Sequence, residues 1–104
     1  MTNKELLSAA GMAAGISGNW REFPGRPERF ITENYKTWDP LSNDGDALRL
    51  SAALGINVIY GRDGETFTVN AGGFLTGLKE GESLIDATRR AIVSAAAEIG
   101  RAMR

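Results

Sequence analysis

The most constraining stretch is INVIYGRDGETFTVN, residues 56–70. Asp63-Gly64 lies between two runs of strand formers and marks a two-residue hairpin loop. A type I′ turn needs positive φ at both central positions, which Asp-Gly accepts. That loop predicts the register: Arg62 opposite Glu65, Tyr60 opposite Phe67 and Val58 opposite Val69, each a favourable cross-strand pair. The other side carries Asn57, Ile59, Thr66, Thr68 and Asn70. That mixed face is either partly solvated or covered by something tolerant of polar groups.

Three helices are predicted around the hairpin. Thr2 and Glu5 stand at capping-box spacing, with Leu6, Ala10 and Ala13 on one face, Leu7 beside it, and Gly15 suited to a left-handed stop. This predicts a helix over about 3–14. A second helix, over about 43–54, starts at Asn43 or Asp44 and stops at Gly55. Ser83 caps a third over about 84–102, with Asp86 suited to its dipole. Its stripe is Ile85, Thr88, Ile92, Ala96, Ile99 and Met103, with Arg90, Ser94 and Arg101 pointing away.

Between these elements, GISGNWREFPGRPER (15–29) lacks a helical period and reads as a loop anchored by Trp20 and Phe23. RFIT (29–32) reads as a short strand, and Pro27 places it at an edge, since Pro donates no ladder hydrogen bond. AGGFLTGLKEGES (71–83) reads as a Gly-rich flexible connection. The expected fold class is α+β, a small antiparallel sheet built on the 56–70 hairpin with the three helices packed as a sandwich.

The middle helix has two apolar sides. Ala47, Leu50, Ala53 and Leu54 share one, and Leu48 and Ala52 point almost opposite. Either the helix is sandwiched within the chain, the reading favoured for a small domain, or Leu48 and Ala52 meet a partner subunit.

Composition removes several chemistries. The 104 residues contain no Cys and no His, so disulfides, thiolate metal sites and every imidazole-based catalytic scheme are excluded. A net charge of −1 gives no global pull toward nucleic acid or anionic membrane. No apolar run approaches the roughly 20 residues of a membrane span. The opening MTNKELLSAAGMAAG only weakly imitates a signal peptide, because Glu5 interrupts its apolar region, and a cytoplasmic protein is expected.

TWDPLSNDGDALRL (37–50) concentrates Asp39, Asp44 and Asp46 ahead of the middle helix. A calcium loop fails on spacing. With Gly45 at position six, position one is Pro40 and position twelve Ser51. A magnesium site on the three acids is the weaker alternative to a helix start in which Asn43 or Asp44 caps and Asp46 favours the dipole. A carboxylate-pair hydrolase has nothing else in its favour. Neither GRDGE nor AGGFLTG is a phosphate loop, because both lack the lysine and the strand–loop–helix setting. Arg89 borders the apolar stripe and reads as a clamp on a neighbouring acid before an anion site. Although the last helix is basic, it has no aromatic interleaving to support nucleic acid. Trp38 reads as a packing anchor, with a half-exposed binding surface as the runner-up.

Two stretches together resemble a known family. WDPLSNDGDALRLSAALGI (38–56) resembles the W-[ND]-P-L-x-[DN]-D-G-D-A-L-R-L signature of small phage and prophage proteins grouped as the phage ABA sandwich domain, and ATRRAIVSAAAEIG (87–100) resembles its closing helix. The resemblance covers about a third of the chain. Its matched positions are Trp38, Asp39, Pro40, Leu41, Asp44 to Leu50, Arg89 and Arg90. It implies helices on both faces of a small sheet and a place in a bacterial host cytoplasm, and it brings no activity, cofactor or catalytic residue. The resulting expectation is a non-enzymatic phage or prophage accessory protein that binds a host or phage macromolecule, a host-defence antagonist being one such protein. Trp38, Asp39, Asp44, Asp46, Arg49 and Arg89 are its candidate binding residues. The alternative is a small-ligand or nucleotide binder using the N-terminus of the middle helix with Arg49 and Arg89. A third reading is a carboxylate-metal enzyme on Asp39, Asp44 and Asp46.

Overall fold

The computed structural model describes residues 1–103, the side chain of Asp63 left aside. The chain is α+β and runs α1 (Asn3–Ala14), β1 (Gly18–Phe23), β2 (Arg26–Thr32), α2 (Asp44–Leu54), β3 (Val58–Asp63), β4 (Thr66–Ala71), β5 (Phe74–Gly77) and α3 (Leu84–Ala102). The strands form two antiparallel sheets, β1-β2 and β3-β4-β5. All three helices form as the local chemistry requires. Thr2 and Glu5 close a reciprocal capping box on α1, Asn43 and Ser83 accept from the N–H groups of Asp46 and Asp86, and Gly15 and Gly55 end α1 and α2 in the left-handed region.

The second hairpin forms, with its loop one residue later than expected. Asp63 pairs with Thr66, leaving Gly64-Glu65 as the two-residue loop. Gly64 has φ 62°, and a loop with glycine first needs positive φ at that residue alone. Each cross-strand partner therefore moves by two residues: Tyr60 faces Val69, Arg62 faces Phe67 and Val58 faces Ala71. A shift of two preserves the faces, because side chains alternate with period two. Val69 and Ala71 are fully buried against α3. On the outer face Asn70 stands between Ile59 and Leu75, both exposed, so that face is solvated and the helices layer on one side of this sheet.

RFIT (29–32) lies in β2 as expected, and parts of the two segments expected as loops, 15–29 and 71–83, are strands as well. Residues 18–32 form the first hairpin, with Trp20 opposite Phe30 and Arg21 opposite Arg29. The register then slips before Phe23 meets Arg26, so Glu22 faces the two-residue bulge Pro27-Glu28, where a missing N–H costs no ladder bond. This bulge and the arginines hide the period-two pattern. Trp20 anchors as expected, whereas Phe23 is exposed. Trp20, Phe30 and Trp38 meet edge to face, with centroid separations of 5.6 and 5.8 Å. Within the Gly-rich connection, Phe74–Gly77 adds β5 to the sheet.

The core centres on α3, which packs against α1, α2, β4 and β5. Its buried face is rotated from the expected stripe. Ile92 and Ala96 are buried with their neighbours Ala91 and Ala95, but so are Ala87, Val93, Ser94 and Ala97, while Ile85, Ile99 and Met103 are exposed. Helix packing on one side and sheet packing on another select the small residues. At the α1–α3 crossing the backbones approach so closely that a Cβ on Gly100 would overlap the carbonyl of Ala9.

Candidate functional site

The stretch 37–50 is tied to itself and to α3 by named bonds. Asp46, at the first turn of α2, accepts from the Asp39 N–H at 2.9 Å through one oxygen and from Arg49 Nη2 at 2.8 Å through the other. Asp39 accepts from the Leu41 N–H at 3.1 Å and from Ser42 Oγ at 2.7 Å. Arg89 donates from Nε to the Leu41 carbonyl at 2.9 Å and ion-pairs with both Asp44 and Asp86. Trp38, buried, donates its N–H to Phe30 O at 2.9 Å. The carboxylates of Asp39, Asp44 and Asp46 each have a partner within the stretch or on α3. Arg89 thus clamps the start of α2 onto α3.

The structure separates what the motif clusters. Asp44 turns to Arg89 on one side of α2, and Asp46 turns to Asp39 and Arg49 on the other. Among the described residues no group of acids is arranged to hold a metal ion, so Asp39, Asp44 and Asp46 do not converge. Arg49 and Arg89 line different grooves, the first with Lys36 and Asn43 and the second with Leu48 and Ile85. The Asn43 side chain occupies the Asp46 N–H at 2.9 Å. A ligand held jointly by the α2 N-terminus, Arg49 and Arg89 therefore lacks a common cavity.

A second arginine clamp lies where the sequence pointed Arg90 toward solvent. Arg90 meets Glu82 through Nε and Nη2 at 2.9 and 2.8 Å, and also donates to Thr76 Oγ1 and the Gly77 carbonyl at 2.9 and 3.0 Å. The Arg90 guanidinium holds the Glu82 carboxyl down at about 2, helped by the Lys79 N–H and opposed by desolvation. The clamp fixes β5 and the 78–83 connection on α3. Nothing in local spacing marks this pair.

The feature that stands out is apolar. The intramolecular sandwich expected for α2 is not found: Ala47 and Leu50 are buried, while Leu48 is 68% exposed and Ala52 is also exposed. Leu48 borders a groove of about 350 Å³ between α2, α3 and β3. Ile85 and Tyr60 flank it, 59% and 54% exposed, and Val58 and Ile92 line it. Thr88 Oγ1 lies 3.1 Å from the Tyr60 hydroxyl and steadies the wall. On the rim, Arg89 is shared by Asp44 and Asp86, leaving one negative charge in excess. Leu48 was marked by its position on the helical wheel. The helical stripe of α3 places Ile85 in the core, and it is exposed because tertiary packing sets the rotation of the helix.

No protein-family model, no curated protein and no solved structure matches the chain. Among the described residues, no helix is long and apolar enough to cross a membrane.

Proposed function

We propose that the protein is a binding module that takes an amphipathic segment of a partner protein into the groove between α2, α3 and β3. The observation that carries this reading is the contiguous exposure of Leu48, Tyr60 and Ile85 around a preformed hollow. Large apolar side chains clustered on a surface, rimmed by polar groups, mark interaction sites. The surplus acid at Asp44 and Asp86 selects a partner segment with a basic residue beside its apolar anchor. The sequence resemblance supports a phage or prophage accessory protein acting on a host or phage protein, and a host-defence antagonist fits that class. In this reading the clamps around Trp38, Asp39, Asp46 and Arg89 hold the groove walls and are not themselves the contact.

A photo-crosslinking side chain placed at Leu48 tests this in bacterial cells, with the same group at Leu75 on the outer sheet face as control. The expected result is a crosslinked protein from Leu48 and not from Leu75, joined through an apolar segment bearing Lys or Arg. Crosslinks to a second copy of the chain would replace this reading with self-association through Leu48 and Ala52. Equal crosslinking from both positions would overturn it.

A further inference from the structure

The net charge of −1 hides a segregation of charge on the first hairpin. On the helices, Arg49, Arg89, Arg90 and Arg101 each pair with an acid. Among the described residues, Arg21, Arg26 and Arg29 of β1-β2 form no ion pair. The register sorts the hairpin further. Arg21 stands directly opposite Arg29, and Phe23 directly opposite Arg26. Arg21, Phe23 and Arg29 share the outer face by alternation and pairing, and Arg26 joins them beyond the bulge as the partner of Phe23, while Trp20, Glu22, Glu28 and Phe30 lie toward the inner one. Lys4 confirms the inner assignment, pairing with Glu28 at 3.1 Å while lying over the Trp20 ring at 5.3 Å. The outer face thus carries three unpaired arginines and no acid, with Phe23 40% exposed among them.

Like charges directly opposite in a sheet repel. An Arg21–Arg29 pair without a carboxylate is stabilised when an anion bridges it. Arginine forks match phosphate oxygens, and an exposed aromatic ring offers a stacking surface to any base. We infer that the outer face of the β1-β2 hairpin binds single-stranded nucleic acid, Arg21, Arg26 and Arg29 pairing with phosphates and Phe23 stacking on a base. This surface is separate from the α2–α3 groove and does not rest on the reading proposed for it. The interleaving of aromatic and basic residues is absent from α3 and present here, in a hairpin of which only RFIT (29–32) reads as strand from the sequence.

The test is fluorescence anisotropy of the full chain with labelled dT20 and U20 over a salt series. Each neutralised phosphate contributes a log–log salt slope of about −0.7 for single strands, so three contacts give about −2. Arg21→Gln with Arg29→Gln is expected to flatten the slope to about −0.7. Phe23→Ala is expected to weaken binding roughly fivefold or more with the slope unchanged. Arg62→Gln, on the other hairpin, is expected to leave both unchanged. Circular dichroism of each variant confirms that it remains folded. No binding at low salt would overturn the inference, and so would binding unaltered by the hairpin variants. Equal affinity for a poly-glutamate peptide would overturn it in favour of an acidic protein surface.

Discussion

Arg90 of α3 and Glu82 of the preceding connection form a two-point ion pair, both side chains mostly buried, at 2.9 and 2.8 Å. It joins that connection to the central helix, and Arg90 also reaches Thr76 and Gly77 of the last strand. The pair has a clear pH signature. Because the folded-state pKa of Glu82 is lowered from 4.5 to about 2, its stabilisation is complete above the unfolded value and is lost as pH falls toward 2. Glu82→Gln is expected to lower stability at neutral pH by about 1–3 kcal/mol, the cost of leaving a partly buried charge short of its partner. The difference from wild type in thermal unfolding should shrink steadily between pH 5 and about pH 2. A difference that stays constant across that range would contradict the assignment.

Gly100 sets two effects against each other. Ala in a helix interior is normally better than Gly by about 1 kcal/mol. Here the added methyl would overlap the Ala9 carbonyl, which belongs to the α1 backbone and cannot rotate away. Overpacking of this kind costs typically about 1–3 kcal/mol and exceeds the propensity gain where backbone must move. Gly100→Ala is therefore expected to be destabilising in chemical denaturation, and a stabilised variant would show that α1 and α3 do not cross this closely.

Tyr35 has φ 60° and is 83% exposed. A left-handed conformation costs a non-glycine residue about 1–2 kcal/mol, and an exposed ring offers little packing in return. Asn tolerates this region without the unfolded-state entropy of glycine. Tyr35→Asn is expected to raise stability by about 0.5–1 kcal/mol, measured by urea unfolding. A loss of stability would mean that the ring makes a contact in solution.

The helix starts were legible because their chemistry is local. Thr2 with Glu5, Asn43, and Ser83 each lie within three residues of the N–H they cap. The clamp of Arg89 on Asp44 was readable as an attraction between a border arginine and an acidic helix start, though its partner was set only by the fold. What stayed hidden depended on distant neighbours. The rotation of α3 that exposes Ile85 follows from α1 and the sheet packing on it together. The first hairpin was obscured by a bulge at Pro27-Glu28 and by arginines where strand formers are usual. The groove at Leu48 was half legible: a second apolar side on α2 was visible, but not that the chain leaves it open.

Asp46 tests whether the acidic helix start is structural. Its carboxylate is the acceptor for the Asp39 N–H, and Asp46→Ala leaves that donor without it. A loss of about 1–3 kcal/mol is expected, without any dependence on added Mg²⁺. A Mg²⁺-dependent rise in the melting temperature of wild type that disappears in Asp46→Ala would restore the metal reading.

The central claim is that the open side of α2 is a docking site. The measurement that addresses it most directly is the affinity of the crosslinked partner for wild type, Leu48→Glu and Leu75→Glu. Both leucines are exposed, 68% and 65%, so both variants are expected to keep stability within about 0.5 kcal/mol of wild type. A charge driven into the groove is expected to weaken binding at least about tenfold for Leu48→Glu, while Leu75→Glu binds as wild type. Equal affinities for all three proteins would contradict the account.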